Sequence, residues 1–94
     1  MDDIQQWIDR HDELSLENGE IYHDGSFIGS VNQGSVSFRA GLRGTATEID
    51  DEWLIVDGSR TVYRGPDEGR STRNGKFAVR PWTQNRPEID GPLP

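Results

Sequence analysis

The chain has 94 residues, a formal net charge of −7 and no cysteine, which describes one small acidic domain and excludes disulfides and thiolate metal sites. Ile, Leu, Val and Phe make 20 of the 94 residues, close to the level of about 20% below which chains drift toward disorder, and three Trp and two Tyr lift it to a folded but thinly packed domain. No apolar run reaches the ~20 residues of a membrane-spanning helix and no signal peptide opens the sequence, so a cytoplasmic or virion-associated protein is expected.

The first element is a helix over residues 2–13, "DDIQQWIDRHDEL". Ile4, Trp7, Ile8 and His11 recur at i, i+3, i+4 and i+7 and share one face. Asp2 or Asp3 can cap it, with Gln5 or Gln6 as the returning partner. After Leu14 the helical period stops. Five tetrapeptides, "ENGE", "HDGS", "NQGS", "VDGS" and "RNGK", place Gly where a tight hairpin needs positive φ. Between them "LSLE" and "EIYH" pair across Asn18-Gly19, and "SFIGSV" follows Asp24-Gly25. "VSFRAGLRG" reads as one strand with Val36, Phe38, Ala40 and Leu42 on one face. "EWLIV" is continuously apolar, which predicts a strand covered on both faces, with Trp53, Leu54, Ile55 and Val56 among the most buried residues. Asp57-Gly58 is expected to turn it back into "RTVYRG", and Asn74-Gly75 to join "GRSTR" to "KFAVR".

This pattern predicts a mainly β fold: an antiparallel meander curled into a small barrel or sandwich, with one N-terminal helix. Residues 1–80 form the domain. Residues 81–94 hold four of the five prolines and are expected to be an extended C-terminal arm, either folded back through Trp82, Ile89 and Leu93 or held by another chain.

No catalytic or metal signature stands out. His11-Asp12-Glu13 and His23-Asp24 put a base beside carboxylates, but no Ser sits on the sharp strand-to-helix turn that exposes a nucleophile. Asp50-Asp51-Glu52 lacks the ligand spacing of a calcium loop, and the two His lack a helical i, i+4 spacing. "GPDEGR" precedes no helix and forms no phosphate cradle. A non-enzymatic protein with no cofactor, metal or small-molecule substrate is therefore expected.

Charge carries the functional reading. Residues 1–24 hold eight acids and one Arg, a net of −7, whereas residues 59–86 hold six Arg, one Lys and two acids, a net of +5. Nine Arg against one Lys, with ten Asp, suits either a high-salt environment or a GC-rich genome. Four cations fall within "RSTRNGKFAVRP". Complementary ends, a thin core and an arm point to assembly: a protein–protein interaction or self-association component, such as a viral capsid decoration or head–tail connector. The expected partner-binding residues are Arg70, Arg73, Lys76, Phe77, Arg80, Trp82, Ile89 and Leu93, with Arg73 and Lys76 flanking a hairpin turn. One alternative is an acidic inhibitor whose front (Asp2, Asp3, Asp9, Asp12, Glu13, Glu17, Glu20, Asp24) mimics nucleic acid and blocks a host nuclease or defence complex. A second is a small barrel that binds single strands through its Arg residues and Tyr63, Phe77 and Trp82, which the net charge disfavours.

Overall fold

The computed structural model describes residues 3–81 and 87–94; Asp2 as a cap, Trp82 and Arg86 lie outside the described residues. One helix, α1 (Asp3–Asp9), precedes eight strands: β1 (Leu14–Glu17), β2 (Glu20–His23), β3 (Ser26–Asn32), β4 (Ser35–Phe38), β5 (Leu42–Asp50), β6 (Trp53–Gly65), β7 (Gly69–Arg80) and β8 (Glu88–Asp90). They form a single antiparallel sheet in which each strand pairs with the next in sequence, β1 to β8. The mainly β antiparallel fold with one N-terminal helix is as the turn spacing predicts.

The first three turns sit where their sequences place them. Asn18-Gly19, Asp24-Gly25 and Gln33-Gly34 each have positive φ at both residues, which gives the backbone twist of a two-residue hairpin. The helix is shorter than expected and stops at Asp9, so His11 belongs to the connection into β1 rather than to a helical face. Ile4, Trp7 and Ile8 are fully or nearly buried against β1, β5 and β6. They close over a core of Leu14, Ile21, Ile28, Val36, Phe38, Leu42, Leu54, Val56, Phe77 and Val79. Trp7 lies edge-on to Phe38, and its indole N–H donates to the Glu52 carbonyl (3.0 Å), so the ring is buried with its polar atom satisfied.

Four expectations are corrected. "VSFRAGLRG" is two strands: Val36 and Phe38 end β4, the chain turns through residues 39–41, and Leu42 opens β5. Gly41, at φ +85, makes that turn, donating to Phe38 O (3.1 Å). Asp57-Gly58 and Asn74-Gly75 do not turn at all. β6 and β7 run straight through them as one long hairpin closed by Pro66-Asp67-Glu68, and Gly58 stands opposite Gly75 and also opposite Gly44 of β5. A Cβ on Gly58 would lie 1.9 Å from Arg43 O and 2.5 Å from Gly44 Cα, so these glycines allow close backbone approach across three strands rather than a reversal. Finally, Leu54, Ile55 and Val56 are buried as expected, but Trp53 is only partly buried.

Bulges re-phase the inward positions. In β5, Thr47 is an extra residue between the Ala46–Val56 and Glu48–Ile55 pairs. Leu42 and Ala46 before it, and Ile49 after it, therefore all reach the same core. Beyond Arg80 the chain returns: Ile89 pairs with Val79 and packs on the core, Glu88 pairs with Arg80, and Leu93 N donates to Lys76 O (2.7 Å).

Candidate functional site

β6 has 13 residues, which at roughly 3.3 Å each span about 40 Å. That matches the longest dimension of the molecule, 41 Å. Its start lies against α1, where Trp7, Arg10 and His11 all bond to the Asp51-Glu52 turn. Its end is the β6–β7 hairpin tip. The acids of α1 and its neighbouring turns, and the cations of the hairpin, are thus far apart in space as well as in sequence.

Strand alternation sorts the hairpin cations onto two faces. Val56 and Phe77 are opposite and buried, so their side of the hairpin is the core side. Arg60 opposite Arg73, and Val62 opposite Ser71, continue that side outward. Arg64 is an extra residue between the Tyr63–Arg70 and Gly65–Gly69 pairs, and it joins Arg60 and Arg73 along one groove. The outer face carries Arg43 opposite Ser59, Lys76 opposite Asp57, Arg70 opposite Tyr63, and Thr61 hydrogen-bonded to Thr72 (2.9 Å). Arg70 and Lys76 therefore share a face that Arg73 does not, and Arg73 and Lys76 flank no turn. Tyr63 is 64% exposed.

Four more of the expected partner-binding residues, Phe77, Arg80, Ile89 and Leu93, are engaged within the chain. Phe77 is 1% exposed and belongs to the core. Arg80 binds the carboxylates of Glu52 (2.9 Å) and Glu88 and lies over the Trp53 ring, 4.9 Å from its centroid. The bond to Glu88 first, and that to Glu52 second, hold its guanidinium above its ordinary value. Ile89 and Leu93 return onto β7 as described. Among the described Arg and Lys residues, Arg80 alone forms an ion pair with a described acid. Arg39, Arg43, Arg60, Arg64, Arg70, Arg73 and Lys76 make none.

The two histidines, 12 positions apart in sequence, meet in an open cleft of about 400 Å³ with Glu13, Asp24, Glu52, Arg80 and Pro81. The sequence places His11 on the helix face and His23 at a hairpin turn; the pairing of β1 with β2, which sets Leu14 opposite His23, brings them together. His11 is clamped: Nε2 donates to Glu52 O (3.2 Å) and Nδ1 lies 3.4 Å from Glu13. His23 Nδ1 is 3.9 Å from Asp24. Among the described residues, no hydroxyl lines this cleft and no group of three or more His or acid side chains is arranged to hold a metal. No protein-family model, curated protein or solved structure matches this chain.

Proposed function

We propose that this protein is a non-enzymatic assembly component that docks the outer face of its β6–β7 hairpin on an acidic protein surface, as a small subunit of a multi-subunit particle of the capsid-decoration or connector kind. One observation carries the reading. Arg43, Arg70 and Lys76 stand exposed on one face, with Asp57 opposite Lys76, and form no ion pair among the described residues, while the acids of α1 and its neighbouring turns lie toward the start of β6. Exposed cations that have no ion pair within the chain are available to a facing anionic surface. Each exposed pair contributes only about 0–1 kcal/mol, so the contact also needs apolar area. Tyr63, beside Arg70, supplies it in place of the buried Phe77.

A second copy meets the charge requirement, since the α1 end offers Asp9, Asp12, Glu13 and Asp24. The test is sedimentation and binding titration at several salt concentrations. Self-association, or binding to an acidic protein, that weakens with salt and is lost in the double variant Arg70→Glu/Lys76→Glu supports the reading. A monomer at all concentrations that binds no acidic protein overturns it. Tight binding to single-stranded DNA with a steep salt slope also overturns it, and would make Tyr63 a stacking platform for bases.

A further inference from the structure

The core side of the β6–β7 hairpin does not end where the core ends. Outward from Val56 and Phe77 come the Gly58–Gly75, Arg60–Arg73 and Val62–Ser71 pairs, then Arg64 at the bulge. Arg60, Arg64, Arg73, Val62 and Ser71 line a groove of about 190 Å³ whose inner end is walled by Phe77, Gly91 and Pro92. The returning C-terminal segment is thus part of the groove.

Three features set this groove apart from a solvated basic face. Three arginines and no acidic residue line it; Asp57 lies on the outer face, and Asp67 and Glu68 in the turn. Arg60 and Arg73 stand directly opposite each other, an arrangement that destabilises a strand pair unless something anionic lies between them. Arg64 follows Arg60 and Val62 at alternate positions of β6, so it stays on the groove side, and the bulge leaves it with no residue opposite it in β7. Arg60 is held at its Nε by the Ala40 carbonyl (3.4 Å), which leaves its terminal nitrogens free to donate.

We infer that this groove is a binding site for a compact phosphate dianion, either inorganic phosphate or the head of a small phosphate monoester. A carboxylate brings one charge and two oxygens. A phosphate monoester brings nearly two charges and three terminal oxygens, which three planar guanidinium forks match more completely. The Ser71 hydroxyl adds one more donor. A volume of about 190 Å³ suits a phosphate with a small substituent rather than a run of stacked bases. The site is on the opposite face from Arg70 and Lys76 and does not depend on the assembly reading.

The test is titration of the full chain with inorganic phosphate and, separately, with phenyl phosphate, followed by amide and Arg Nε–H NMR signals at constant ionic strength in chloride. Saturable shifts at Arg60, Val62, Ser71 and Arg73 are expected. Arg73→Gln is expected to weaken binding about tenfold or more, and Arg73→Lys to recover only part of it, because charge returns without the fork. Arg70→Gln, on the outer face, is expected to change the affinity less than about twofold. Should Arg73→Gln fail to fold, Arg64→Gln at the exposed bulge serves as the groove variant. Saturation by phosphate but not by the monoester assigns the free anion; saturation by both assigns the monoester head. Shifts that do not saturate, shifts that acetate reproduces at equal concentration, or equal losses in Arg70→Gln and the groove variant would each overturn the inference.

Discussion

At the scale of single residues, Trp7 and Trp53 have different fates. Trp7 enters the core from the helix with its N–H bonded to Glu52 O, whereas Trp53 begins β6 and is only partly buried, beneath the Arg80 guanidinium. Trp82 lies outside the described residues. Trp7→Ala is expected to cost about 3–5 kcal/mol and Trp53→Ala only about 1 kcal/mol, read from urea unfolding midpoints. Comparable losses would contradict this division. Tyr22 gives a second residue-scale outcome. Its hydroxyl donates to the Glu20 carboxylate (2.9 Å), and that bond first, then slight burial and the neighbouring charges of Glu20 and Glu17, raise its pKa above 10.0. A raised value means the folded state keeps the proton longer. The bond therefore contributes below the ordinary tyrosine range and is lost as pH climbs through the raised value. Glu20→Gln is expected to bring the Tyr22 ring titration back toward 10.0, followed by NMR.

At the scale of elements, the glycine row and the last strand govern the hairpin that carries the cations. Gly44, Gly58 and Gly75 stand in register across β5, β6 and β7. Gly58→Ala would force a Cβ into the Arg43 carbonyl and is expected to cost about 1–3 kcal/mol or more, while Ser59→Ala beside it stays within about 0.5 kcal/mol. Chemical denaturation of the pair checks this. β8 is short but ties the chain end to β7 by three residue pairs and the Leu93 N–H bond to Lys76. Removing residues 81–94 uncovers Val79 and releases Arg80 from Glu88, with an expected loss of about 2–4 kcal/mol read from thermal or urea melting. A truncated chain as stable as the full one would show that β8 contributes no net stability.

At the scale of the whole molecule, acids predominate around α1 and the start of β6 and cations predominate along the β6–β7 hairpin, although Asp67 and Glu68 sit at its tip and Arg10 and Arg80 at the other end. Only Arg80 joins cation to acid within the described ion pairs of Arg and Lys, so there is little surface pairing for salt to screen away. Repulsion within each end acts over short distances, whereas attraction between the ends acts over tens of ångströms, beyond a Debye length of about 10 Å at 0.1 M salt. Adding sodium chloride is therefore expected to raise the melting temperature by a few degrees while weakening any head-to-tail association. A falling melting temperature across a chloride series would show that attraction between the ends dominates.

Local chemistry determined the class of fold. Alternating apolar residues and the Asn18-Gly19, Asp24-Gly25 and Gln33-Gly34 turns need only their own neighbours, and the apolar run 54–56 is buried wherever β6 lies. The charge asymmetry was likewise fixed by composition along the chain. Tertiary pairing decided the rest, because an Asp-Gly or Asn-Gly dipeptide permits a turn without requiring one. At Gly58 and Gly75 the continuous β6–β7 ladder and close contact with β5 outweigh two tight turns, and that choice sets which cations share a face. It buries Phe77, separates Arg73 from Arg70 and Lys76, and lines up Arg60, Arg64 and Arg73 across two strands. Pairing of β1 with β2 likewise draws His11 and His23 into one cleft. Those juxtapositions join residues through strand register, which is a property of the assembled sheet and not of any segment within it.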